Sequence, residues 1–213
     1  VCKLGNMAEK LIRKFLHYWR AIYAENVKEW RHELAYRADF IRGLIQPGLY
    51  VLPFVIYGVA IAGGKTSPHL KLLCGTGDVI TFTILGYVFM GFLNTSMWAM
   101  GMALRKEQLF GTLEFVFTAP LPRWVYVAGM ALHSTMHQGL IILIQVVIFY
   151  FAFGLALRLE GILPALLVTG LMLIALYGIG IMVSALTLIF KEGWMVSEAL
   201  HSLISVLTPI AYP

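Results

Sequence analysis

The chain has 213 residues, 60% of them hydrophobic and 13% charged, with a formal net charge of +5. Soluble domains carry roughly 45–50% apolar and about 25% charged residues, so this composition would aggregate in water unless lipid covered it. The positive charge does not point to nucleic acid: basic residues flank apolar runs rather than lining a groove with interleaved aromatics, which suits lipid phosphates.

Residues 1–39 read as an amphipathic helix lying in the membrane interface. Leu11, Ile12, Phe15, Leu16, Trp19, Ile22, Tyr23, Val27, Trp30 and Leu34 recur at three- and four-residue intervals. Lys10, Arg13, Lys14, His17, Arg20, Lys28 and Arg31 take the other face. Asn6, with Glu9 three residues on, predicts a capping box at the start. Trp, Tyr and basic side chains suit the headgroup region, and a cytosolic helix packed on a partner protein is the alternative.

A membrane-spanning bundle follows over 40–213. A bilayer core of about 30 Å takes roughly 20 apolar residues in a helix. Such runs lie at about 40–62, 79–104, 124–153 and 162–190, and a fifth, 195–213, is still apolar where the sequence ends. Backbone groups in lipid must bond within their own segment, so each run is helical, and the alternating pattern of a barrel is missing from the sequence. The fold class is all-α integral membrane: an amphipathic interface helix, then a bundle of transmembrane helices.

Positive charges set the expected orientation. With the N-terminus in the cytoplasm, Lys3, Lys10, Arg13, Lys14, Arg20, Lys28, Arg31, Arg37, Arg42, Arg105, Lys106, Arg123 and Lys191 fall inside, against Lys65, Lys71 and Arg158 outside. That bias predicts a multi-pass protein of the cell membrane with a cytoplasmic N-terminus.

Little in the chain carries chemistry. Cys2 and Cys74 are far apart, with no His or Cys nearby at metal-ligand spacing. Gly63-Gly64-Lys65-Thr66 imitates the end of a phosphate-binding loop, but Val59 stands where that loop needs its first glycine, so the segment reads as a turn. No other such loop exists, and the chain alone is not expected to hydrolyse ATP. His133 and His137 share one face of the third span. The plain reading is two neutral imidazoles hydrogen-bonded across helices; a place on a transport path, or haem or metal ligation, are the alternatives. Gly178, Gly180 and Ser184 permit close helix approach in the fourth span. No nucleophile-base set assembles, so no catalytic residue is expected.

The informative stretch is the loop 105–123, which mixes charge with apolar side chains and ends in Pro120 and Pro122. A short helix there, with Phe110, Leu113 and Phe117 in one stripe, predicts an apolar knob rimmed by Arg105, Glu107 and Glu114. Such a knob suits docking into a groove on a cytosolic partner, or lying on the membrane surface.

Gly111-Thr112-Leu113-Glu114, followed by Thr118-Ala119-Pro120 and Arg123, resembles the loop motif of the type-2 permease family of ATP-binding-cassette transporters. One residue is inserted in the Thr-Pro step. Gln46-Pro47-Gly48-Leu49-Tyr50-Val51-Leu52-Pro53-Phe54 is similar to that family's entry into the first span, and the likeness covers the whole sequence. It implies six spans in the complete chain, five of them visible here, and a re-entrant hairpin starting near Thr208–Pro213. It implies a dimer of permeases, joined by two cytosolic ATPase subunits that bind ATP and magnesium, in an assembly that mostly exports. It makes Arg105, Glu107, Gly111, Thr112, Leu113 and Glu114 part of a coupling helix touching the ATPase, with Lys191 and Glu192 a second, smaller contact.

The sequence thus predicts an exporter permease moving an amphiphilic, drug-like or lipid-linked cargo outward, since a uniform apolar lining with few intramembrane charges fits such cargo better than small ions. It would bind no cofactor or metal itself and would partner with ATPase subunits, a second copy and membrane lipids, but not nucleic acid. The rivals are a haem- or metal-binding membrane subunit using His133 and His137, and a membrane anchor that does not transport.

Overall fold

The computed structural model describes residues 2–75, 77–154, 161–190 and 193–207. Among these the secondary structure is helical apart from one isolated bridge. Helix α1 (Cys2–Ala35) starts ahead of Asn6, so the expected capping box does not open it. Asn6 lies inside the helix, and Glu9 pairs instead with Arg13 one turn on, at 2.7 Å. The chain breaks at Tyr36 (φ −100, ψ 65) and resumes as α2 (Arg37–Ala62), which carries Pro47 and Pro53 inside it.

Gly63 ends α2 in the left-handed conformation, φ +69, with its N–H on Ala60 and that of Gly64 on Val59. These are the two bonds of a Schellman closure, which favours glycine because a Cβ is strained there. Gly63-Gly64-Lys65-Thr66 is therefore a helix stop. Short α3 (Pro68–Cys74), capped by the Ser67 hydroxyl on the Leu70 N–H, and an isolated bridge between Thr66 and Asp78 fill the connection. The Asp78 carboxylate then accepts the N–H groups of Ile80 and Thr81 and opens α4 (Val79–Thr95).

Helix α4 runs into a π-helical turn (Ser96–Met100) and on into α5 (Ala103–Leu109). A π turn displaces backbone groups from the regular ladder, and in an apolar setting they need partners. Thr187 supplies one, donating its hydroxyl to the Gly101 carbonyl at 3.1 Å, while the Leu104 N–H reaches the Ser184 hydroxyl at 3.5 Å. Gly180 makes the approach possible: a Cβ there would lie 2.8 Å from both the Met100 Cβ and the Ser96 carbonyl.

After α6 (Leu113–Thr118) come α7 (Arg123–Phe153), α8 (Ile162–Phe190) and α9 (Gly193–Leu207). Four stretches are long and apolar enough to cross a bilayer: Arg37–Ala62, Val79–Leu109, Arg123–Phe153 and Ile162–Phe190. The described part of α9 has 15 residues, and the expected hairpin at 208–213 lies outside the described residues. The stretch Val79–Leu109 is central: 44% of its 18-residue apolar window is buried, against 11% for that of Arg37–Ala62 and 17% for that of Ile162–Phe190. It touches α2, α7, α8 and α9, so it forms the axis around which the bundle packs.

The two 31-residue stretches are each about 46 Å long at 1.5 Å per residue, well beyond an apolar slab of about 30 Å. Their charged residues, Arg105, Lys106 and Glu107 on one and Arg123 on the other, gather at one end of each. Helix α1 joins them at that end. It packs lengthwise on the first half of α7, with Tyr18 edge-on to Trp124 at 5.5 Å and Trp30 edge-on to His133 at 5.1 Å. Its N-terminal half, by contrast, leaves Leu11, Ile12, Phe15 and Trp19 more than half exposed.

Candidate functional site

The loop 105–123 folds as two short helices, where a single one was expected. Gly111 separates them at φ +71. Its N–H bonds the Gln108 carbonyl and that of Thr112 bonds the Glu107 carbonyl at 2.9 Å, a second Schellman closure. Helix α6 ends at Thr118 because Ala119 precedes Pro120, and the residue before a proline is pushed to extended backbone; Ala119 has ψ 138. Phe110, Leu113 and Phe117 therefore do not lie on one continuous helix. The turn nevertheless presents an apolar surface, with Leu109, Phe110, Phe115 and Phe117 exposed and Arg123 stacked over Phe117 at 4.7 Å. Glu114 is exposed in its first turn, Leu113 is half-buried, and Arg105 bonds Gln108 on α5.

Glu107 is not on that rim. It is 5% exposed and faces inward, where its carboxylate accepts from the Lys28 ammonium at 3.0 Å, the Tyr126 hydroxyl at 3.2 Å and the Thr112 hydroxyl. The correction has a simple cause: Glu107 sits on the α5 face turned to α1 and α7, and four residues of the turn beyond it carry the outward side chains. Around it lies an ionic network. Lys28 also meets Glu25 at 2.5 Å and Glu29 at 3.4 Å, and Glu29 accepts from Lys106 at 2.6 Å. Glu25, Glu29 and Glu107 are close enough together to hold a metal ion, yet the Lys28 ammonium stands among them as their counter-charge.

These contacts order the titrations. Burial alone would lower the Lys28 pKa, but hydrogen bonds and charge from Glu25 and Glu107 outweigh it and hold the ammonium well above its ordinary range. Burial works to raise Glu29, and Lys106 and Lys28 overcome it, leaving that carboxyl below the ordinary range. For Glu25 burial wins and the pKa rises.

The histidines meet α1 further along. His133 Nε2 is 3.1 Å from Glu33 Oε1 and His137 Nε2 is 3.6 Å from Glu33 Oε2, the two rings lying nearly parallel at 12°. They border a cavity of about 190 Å³ shared with Glu29, Thr95, Trp98 and Lys106. Among the described residues, the set of His, Cys, Asp and Glu groups close enough to share an ion contains neither histidine. Lys191 and Glu192 lie outside the described residues.

Sequence reasoning missed Glu25, Lys28, Glu29, Glu33 and Tyr126. One signal was available: Glu25, Glu29 and Glu33 follow each other every four residues, a line of carboxylates along one face of α1.

Residues 18–213 match the family model described as ABC-2 type transporter. The chain belongs to the ABC-2 type transporter family. An ABC-2 permease domain is the membrane-embedded transport subunit of an ABC transporter, not a catalytic one, and it works with a cytosolic ATP-binding subunit. Comparison with curated proteins and with solved structures gives no match. In this ABC-2 permease the Gly-Thr-Leu-Glu stretch has a local structural reason: Gly111 makes the left-handed closure and Thr112 holds the buried Glu107.

Proposed function

We propose that this permease is the membrane half of an exporter, embedded in the cell membrane with α1 and the α5–α6 turn on the cytoplasmic side. ATP and magnesium are bound on separate ATPase subunits, and α5–α6 with Glu114 is the element those subunits touch. A second copy of the chain completes the membrane half, and the cargo is amphiphilic, drug-like or lipid-linked. The observation that carries this reading is the surface of the turn. Leu109, Phe110, Phe115 and Phe117 stand exposed beside Glu114 at the charged end of the bundle, while Glu107 and Thr112 brace the turn from behind. An exposed apolar patch with a charged rim on a rigid support is the form of a docking surface.

The test is Glu114→Lys, with Glu9→Lys on exposed α1 as a charge-matched control. Glu114→Lys is expected to reduce ATPase co-purification about tenfold or more, because a carboxylate at such an interface leaves its partner charge unpaired when lost. Glu9→Lys retains it. Full ATPase recruitment by Glu114→Lys removes the α5–α6 assignment, and labelling of a cysteine placed at Gln108 from outside intact cells removes the orientation.

A further inference from the structure

We propose that Glu107 is a positioning residue that passes movement of the α5–α6 turn into α1, an inference that rests on the reading of that turn as the ATPase contact. Its carboxylate joins three elements at one point: Thr112 at the start of α6, Tyr126 on α7 and Lys28 on α1. A buried carboxylate has few acceptable positions, since each lost donor leaves charge uncompensated. When α6 is displaced, the bond from Thr112 draws on Glu107, and the ion pair carries that displacement to Lys28.

Helix α1 is built to respond as a unit. Lys28 is bonded to Glu25 one turn away, and Glu29 is held by Lys106, the neighbour of Glu107 on α5. Two adjacent residues of α5 thus grip two adjacent residues of α1 by charges of opposite order: Lys106 to Glu29 and Glu107 to Lys28. That crossed pattern resists sliding in either direction along α1, because a shift of one residue sets Lys106 against Lys28 or Glu107 against Glu29. At its far end α1 holds His133 and His137 through Glu33, beside the cavity and the π turn residues Trp98 and Ala99. The path from the turn into the bundle is therefore continuous: Thr112, Glu107, Lys28, along α1 to Glu33, then α7. Both ends are polar contacts that can break and re-form, while the helix between them is rigid.

The experiment uses the complex of this permease with its ATP-binding subunit, in a background with Cys2 and Cys74 replaced by serine. Spin labels at exposed Tyr23 on α1 and Leu72 in the far connection report α1 movement; labels at exposed Thr118, at the end of α6 and outside the apolar patch, and at Leu72 report movement of α6. Both distances are read without nucleotide and with ATP and vanadate. In the parent, both change on nucleotide binding. In Glu107→Gln, which keeps size and a hydrogen-bond acceptor, the Thr118 change persists while the Tyr23 change falls to less than half. Lys28→Met breaks the same contact from the other side and gives the same result; it serves alone if Glu107→Gln does not assemble. A parent in which Tyr23 does not move, or variants that keep the full Tyr23 change, overturn the relay. If Thr118 is itself unmoved and Glu114→Lys still recruits the ATPase, the underlying reading of the turn has failed instead.

Discussion

Gly180 and Gly129 each let two helices come within touching distance, and their surroundings differ. At Gly180 on α8, the neighbours are Met100 and the Ser96 carbonyl, with Ser184 and Thr187 as the polar members of the same crossing, all neutral. At Gly129 on α7, a Cβ would lie 2.6 Å from that of Glu25 and 3.2 Å from the Ile22 carbonyl of α1, and the contact continues into Lys28, Glu29 and Tyr126. The first crossing lies among apolar spans, where helices associate by close packing and neutral hydrogen bonds because lipid removes the hydrophobic force between them. The second lies at the charged end of the helices, where charges keep some water, Lys28 being 46% exposed at its side chain. One bundle thus uses two kinds of joint, a neutral one among the apolar spans and an ionic one at the charged end.

Breaking the first joint has the largest expected effect. Gly180→Val forces a branched side chain against backbone and is expected to cost about 3 kcal/mol or more, seen as loss of the monodisperse protein or a fall in its melting midpoint. Gly178→Val, where nothing lies within 4 Å, is nearly silent by the same measurement. Equal losses for the two would remove the idea that the α4–α8 crossing is tight.

The second joint breaks more locally. Glu29→Ala leaves Lys106 without its partner and is expected to cost about 2 kcal/mol, at the low end because both lysines retain solvent. Hydrogen exchange of α1 amides should rise roughly 30-fold while those of α4 and α8 are unchanged. A uniform rise across all helices would show that the two joints are one cooperative unit.

The smallest effect is on pH. Glu29 titrates below its ordinary range, so its contribution is present above that range and is lost as pH falls through the depressed value. Lys28 titrates above its ordinary range, so its contribution is present below that range and is lost as pH rises through the raised value. Glu25, raised by burial, favours its protonated form and offsets part of the acid loss. Attachment of α1 is therefore expected to be level between about pH 5 and 10, loosening outside it. A break in α1 exchange inside that window would show that other groups control the attachment.

Much of the candidate site was legible and some was not, for reasons that differ by residue. The Gly-Thr-Leu-Glu stretch stood out because four contiguous residues resemble a family motif, and a contiguous motif is a local property of the chain. Glu107 was read as a rim residue because a charged side chain in a polar loop looks solvent-facing. Its burial depends on α1 and α7 arriving from elsewhere in the chain. Lys28 was assigned to the polar face of α1 and its side chain does stay half exposed, but it sits at the edge of the buried Ile22–Asn26–Glu29 face, and its ammonium reaches across to Glu107 on α5. His133 and His137 were seen to share a face, while Glu33, their partner, is 100 residues away from His133.

Sequence alone determined the all-α membrane class and the family, because apolar runs long enough for a bilayer and a contiguous motif are local properties of the chain. Tertiary structure alone decided the π turn with its Thr187 and Ser184 partners, the crossing at Gly129, and the ionic grip of α5 on α1. Each of these depends on groups distant in sequence meeting at a few ångströms, where burial turns an ordinary charge or hydroxyl into one that must be satisfied.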